Sequence, residues 1–125
     1  MESASDFIKR KNREFLQKKK PIGMKDIGGR GKHYFEREAW TFLQQHNLDE
    51  KVFVFERLRK KSIEGEIAHK KTWKKGEIEY RIGYYIVGKI GKRKGKWTWG
   101  QFCPMIPHKD LIRLIKKAKE EGVIK

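Results

Sequence analysis

Glu77-Ile-Glu-Tyr-Arg-Ile-Gly-Tyr-Tyr-Ile-Val-Gly-Lys-Ile90, then Gly91-Lys-Arg-Lys-Gly95, then Lys96-Trp-Thr-Trp-Gly-Gln-Phe102, reads as two strands joined by a tight turn. Ile78, Tyr80, Ile82, Tyr84 and Ile86 fall on one face of the first segment and Glu79, Arg81, Gly83, Tyr85 and Val87 on the other, the period of two that a pleated strand imposes. The five residues from Gly91 to Gly95 suit an exposed hairpin loop. The returning segment places Trp97, Trp99 and Gln101 on one face and Thr98, Gly100 and Phe102 on the other. An antiparallel hairpin at this point makes a sheet the centre of the fold.

Working outward, Val52-Phe-Val-Phe-Glu-Arg-Leu58 is rich in β-branched and aromatic residues and predicts a strand. Residues 62–69 offer a further strand around Ile63 and Ile67. Pro104 and Pro107 end the sheet. Beyond them, residues 108–121 carry Leu111, Leu114, Ile115 and Ala118 at helical spacing, with Gly122 as a left-handed cap and Val123 closing it. Residues 33–46 place Phe35, Ala39, Phe42 and Leu43 three and four apart, which predicts a second amphipathic helix. Residues 5–19 suit either a helix capped by Ser5 or Asp6 or a basic arm that orders on binding, and residues 20–32, with Pro21 and four glycines, read as a loop. The expected fold is α+β: an antiparallel sheet of three to five strands packed by two or three helices, with a basic N-terminal arm. The arm and glycine-rich loop span 1–32, and a single α+β domain spans 33–125. Trp97 and Trp99 are candidates for packing beneath the C-terminal helix.

The 125 residues carry 32 Lys and Arg against 16 Asp and Glu, a net charge of +16. Such an excess repels itself in a compact chain unless a polyanion offsets it, and a phosphate backbone does so by releasing condensed counterions. Thermophile surfaces, where Lys is matched by Glu, do not show this imbalance. The expected partner is therefore nucleic acid, DNA or RNA. The single Cys103 excludes an internal disulfide and suits a cytoplasmic setting. No apolar run has the length of a membrane span, so no membrane partner is expected.

Three basic features could carry the binding. Lys92, Arg93, Lys94 and Lys96 ring the hairpin turn, and a basic β-ribbon can enter a groove of duplex nucleic acid. Arg59 and Lys60 end one strand, and Lys70, Lys71 and Lys74 flank Trp73 in a turn; as sheet neighbours, the two runs would form one stripe along a phosphate backbone. Trp73, surrounded by polar residues, is the best candidate for an exposed ring that stacks on a base. The loop Gly28-Gly-Arg-Gly-Lys32 lacks the Gly-Lys-Ser/Thr ending of a P-loop. Cys103 and His108 form no complete zinc set, and neither a cofactor nor a metal is expected.

Gly31-Lys-His-Tyr-Phe-Glu-Arg-Glu38, followed by Phe53-Val-Phe-Glu-Arg57, resembles the start of archaeal Holliday-junction resolvases, which are restriction-endonuclease-like nucleases. The resemblance implies a helix carrying Glu36 or Glu38 as a magnesium ligand, completed by acids from later strands. The family's central aspartate has no counterpart between Glu50 and Asp110, and Glu66 and Glu79-x-Arg81 stand where its Glu-x-Lys would. The leading expectation is a non-catalytic nucleic-acid-binding module. The alternatives are a small metal-dependent nuclease and a regulatory module that binds an acidic protein partner.

Overall fold

The computed structural model describes residues 1–125. Five antiparallel strands, β1 (Ile22–Lys25), β2 (Lys32–Gln44), β3 (Lys51–Glu64), β4 (Ile78–Val87) and β5 (Trp97–Trp99), lie side by side in chain order. A helix, α1 (Ala4–Gln17), packs on one face and a second, α2 (His108–Glu120), on the other. The class is α+β, with two helices. No helix is long and apolar enough to cross a membrane.

Covering both faces explains the sequence of β3. In Val52-Phe53-Val54-Phe55 consecutive side chains point to opposite faces, and all four are buried. Val52 and Val54 join Phe42, Tyr85, Ala4 and Phe7 beneath α1. Phe53 and Phe55 join Leu43, Tyr84, Leu114, Ala118 and Val123 beneath α2.

The same two-sided burial corrects the helix expected over 33–46, which is strand β2. Thr41, Phe42 and Leu43 are buried in succession, alternating between faces. The register against β3 shifts between Arg37 and Ala39, so Glu38 is an extra residue in a β-bulge. Ala39 and Leu43 face α2 while Phe42 faces α1, so the spacings of three and four that imitate a helix come from apolar residues on both faces of one strand. The loop expected over 20–32 contains β1, paired with the start of β2. The strand expected over 62–69 is the end of β3, which stops at Glu64 before a connection of residues 65–77.

The N-terminal segment is a docked helix. Its cap is Ser3, whose hydroxyl accepts from the amide of Asp6 at 3.1 Å, rather than Ser5 or Asp6. Phe7 is fully buried and stacks on Trp97 with ring centroids 4.6 Å apart. Burial of one such ring stabilises by about 1.5–3 kcal/mol. Trp97 and Trp99 therefore pack under the N-terminal helix, not the C-terminal one. Gly83 makes room for this, because a Cβ there would collide with the Trp99 ring. In α2, Leu114 and Ala118 are buried, while Leu111 and Ile115 lie at the surface. Gly122 has φ 73°, and Val123 returns an amide hydrogen to the Ala118 carbonyl at 2.8 Å, closing the helix as its sequence predicts.

Candidate nucleic-acid interface

The middle of the sheet is electrically paired. Glu56 is 1% exposed and accepts from Arg37 Nε at 2.6 Å and Arg81 Nε at 2.7 Å. On the opposite face Glu38 accepts from Arg57 at 3.1 Å and Arg59 at 2.5 Å, and these arginines hold its carboxyl below the usual range. Lys60 lies 3.5 Å from Glu77 and 3.4 Å from Glu79. The uncompensated charge is displaced to the ends of the strands.

One end is the β4–β5 hairpin. Gly88 packs against the backbone of Arg93, where a Cβ would collide with the Arg93 carbonyl. The turn is closed by amide hydrogen bonds from Gly88 to Lys96 at 3.0 Å and from Gly95 to Gly88 at 2.9 Å. Its backbone needs are thus met internally, and the side chains point outward. Lys92, Arg93, Lys94 and Lys96 are all exposed and none has an acidic partner. Lys89 alone is paired, with Glu50.

The other end joins the β1–β2 turn to the 65–77 connection. Asp26, buried in the turn, accepts from the amides of Gly28 at 2.9 Å and Ala68 at 2.8 Å, and its second oxygen lies 2.6 Å from His33 Nε2. The His33 ring, with the two amides, lowers its pKa to about 2. Gly31 passes so close to Glu66 that a Cβ would meet the Glu66 carbonyl oxygen. Arg59 braces the far side of the connection by donating to the Gly76 carbonyl at 2.6 Å. Lys25, Lys32, Lys70, Lys71, Lys74 and Lys75 surround this junction, exposed and without an acidic partner.

The expected site residues thus fall into two groups. Lys70, Lys71, Trp73 and Lys74 sit together with Arg59 and Lys60 at one end of β3, so the two runs do meet. Within that group Arg59 and Lys60 are held by acids. Lys92, Arg93, Lys94 and Lys96 lie at the opposite end, separated by the length of β4, which at about 3.3 Å per residue is roughly 30 Å. The hairpin cations do not continue the first group into one stripe. Lys25 and Lys32 join the first group only through the pairing of β1 with β2, which no local signal in the sequence shows.

The aromatic residues are mostly committed to the core. Trp40 donates to Asn12 at 2.8 Å and Trp97 to the Glu2 carbonyl at 2.9 Å. Trp73 is half-buried, lines one hollow with Met24, His33 and Phe35, and has its indole nitrogen enclosed. It is less open than its polar neighbours in the sequence suggest. Phe102, 82% exposed, is the most open ring.

The acids that the nuclease resemblance implies as magnesium ligands are dispersed. Glu36 and Glu38 lie on β2, Glu38 between two arginines, Glu66 is in the connection beside Arg30, and Glu79 faces Lys60. No three His, Cys, Asp or Glu side chains gather closely enough to hold a metal ion. Comparison with protein-family models, with curated proteins and with solved structures found no match.

Proposed function

We propose that the chain binds double-stranded nucleic acid through its phosphate backbone, without catalysis, using the two basic ends of the sheet. The observation that carries this reading is the placement of uncompensated charge. Cations along the sheet are neutralised by Glu38, Glu56, Glu77 and Glu79, whereas those at the hairpin and at the 65–77 junction are not. The ends are about 30 Å apart, near the 34–36 Å of one duplex turn, so both can reach phosphates on one side of the same helix. Both ends are braced by backbone hydrogen bonds, which reduces the ordering cost of binding.

Duplex is favoured over single strands because the stacking surface is small. Binding of unpaired bases draws on exposed rings worth about 1–3 kcal/mol each. Here Trp40, Trp97 and Trp99 are turned into the α1 interface.

The test is neutralisation of each end in turn. Lys92→Gln/Arg93→Gln/Lys94→Gln/Lys96→Gln and Lys70→Gln/Lys71→Gln/Lys74→Gln/Lys75→Gln are each expected to weaken duplex binding. Each lost phosphate contact should reduce the slope of log K against log salt by about 0.9. If both variants bind duplex as the wild type does, the proposal fails. Binding to an acidic protein surface by a chain that ignores nucleic acid at low salt would favour the regulatory reading instead.

A further inference from the structure

A cleft of about 220 Å³ opens where the chain leaves α1 and crosses to β1, lined by Lys18, Lys19, Lys20, Arg37 and Lys61 together with Phe15, Pro21 and the acidic Glu36. At roughly 30 Å³ per water, it has room for a phosphate group and a few waters. Five of its eight lining residues are cationic and one is acidic. Lys18, Lys19 and Lys20 have no acidic partner, and Lys61 lies 4.0 Å from Glu36, too far for a strong pair.

Arg37 distinguishes this cleft from an ordinary lysine-rich surface. Its Nε donates to the buried Glu56 at 2.6 Å, and its guanidinium carbon lies 3.7 Å from the centre of the Phe15 ring. The guanidinium is therefore fixed in plane and position before any ligand arrives. Its terminal nitrogens donate to no acceptor in the protein. A planar fork with unused donors, pre-set beside three flexible ammonium groups, matches the oxygens of a phosphate.

We infer that this cleft is a binding site for a phosphate monoester or diphosphate group, with Arg37 as the fixed donor and Lys18, Lys19, Lys20 and Lys61 closing around it. The cleft shares no lining residue with the hairpin or with the 65–77 connection, and the inference does not depend on the duplex proposal. The same chemistry has two sources, a small free phosphate compound or the phosphorylated end of a polynucleotide.

The experiment titrates pyrophosphate into the full chain at moderate salt, following ³¹P NMR and the Trp fluorescence. Saturable binding is expected, and Lys18→Gln/Lys19→Gln/Lys20→Gln should weaken it about tenfold or more. Lys61→Gln, at a surface position, should weaken it several-fold, which guards against a helix-end defect in the triple variant. The hairpin variant, with Lys92, Arg93, Lys94 and Lys96 neutralised, should bind pyrophosphate as the wild type does. A second arm compares 5′-phosphorylated and 5′-hydroxyl forms of one short oligonucleotide. Preference for the phosphorylated form assigns a polynucleotide end as the source, and equal binding assigns a free phosphate compound. Non-saturable binding, or equal loss in the hairpin and cleft variants, would mean diffuse adsorption to a basic surface and would overturn the inference.

Discussion

Replacing Glu56 by Gln is the most informative single perturbation of the folded state. Glu56 is the only acid between Arg37 and Arg81, is 1% exposed, and accepts at 2.6 Å and 2.7 Å from the two arginines. The amide fills the same volume but removes the negative charge, leaving two guanidinium groups facing each other across β3. Breaking a buried ion pair by neutralising one member costs about 3–5 kcal/mol, because the remaining charge stays desolvated. Arg37 and Arg81 keep side-chain exposures of 16% and 27%, so water screens part of the residual charge and the lower end, about 3 kcal/mol, applies. For a chain of this length each kcal/mol moves the melting temperature by about 3–5 °C, a fall of about 10–15 °C. Thermal unfolding and a urea titration monitored by circular dichroism measure it. The triple replacement of Arg37, Glu56 and Arg81 by Leu should recover much of the loss, since buried ion pairs exchange for apolar packing at little net cost. A Glu56→Gln protein within about 1 kcal/mol of the wild type would refute the reasoning, because the charge would then contribute no more than an exposed pair.

Phe7→Ala should destabilise by about 3–5 kcal/mol and shift the Trp emission to the red, as its ring is fully buried on Trp97; an unchanged protein would mean that α1 does not dock. Gly31→Ala should cost several kcal/mol and weaken duplex binding by loosening the junction, read from urea midpoints and a binding titration, because its Cβ would overlap the Glu66 carbonyl. Asp26 has a folded pKa of about 2, below an unfolded value near 3.9, so its contribution to stability is present above about pH 4 and is lost as pH falls towards 2. The difference in urea midpoint between wild type and Asp26→Asn should therefore shrink across that range, and a constant difference would contradict the assignment.

The legible parts of the fold are those in which one local signal acts alone. The β4–β5 hairpin follows from alternation and paired glycines, and α2 from its apolar stripe, Gly122 and Val123. β2 is not legible, because burial on both faces removes alternation and sets Ala39, Phe42 and Leu43, which face opposite helices, at helix-like spacings. β1 was hidden because four residues between Pro21 and a glycine turn form a strand only by pairing with β2. Of the candidate interface, the hairpin cations could be read directly, since charge beside a tight turn is exposed wherever the turn lies. The neutralisation of Arg59 and Lys60 could not, because Glu38 reaches Arg59 from a neighbouring strand and Glu77 and Glu79 reach Lys60 only through the β3–β4 register. Nor does sequence show that the two basic groups lie at opposite ends. That follows from the direction in which each strand runs.

The most direct measurement is the affinity of the wild-type chain for a labelled duplex of about two turns, taken across a salt series. Contacts from both ends predict steep weakening, with a slope of log K against log salt of about −4 to −7 for some five to eight phosphates, and tighter binding of duplex than of an equal length of single strand. Absence of binding at low salt, or a slope near zero, would contradict a phosphate-backbone function for the two basic ends.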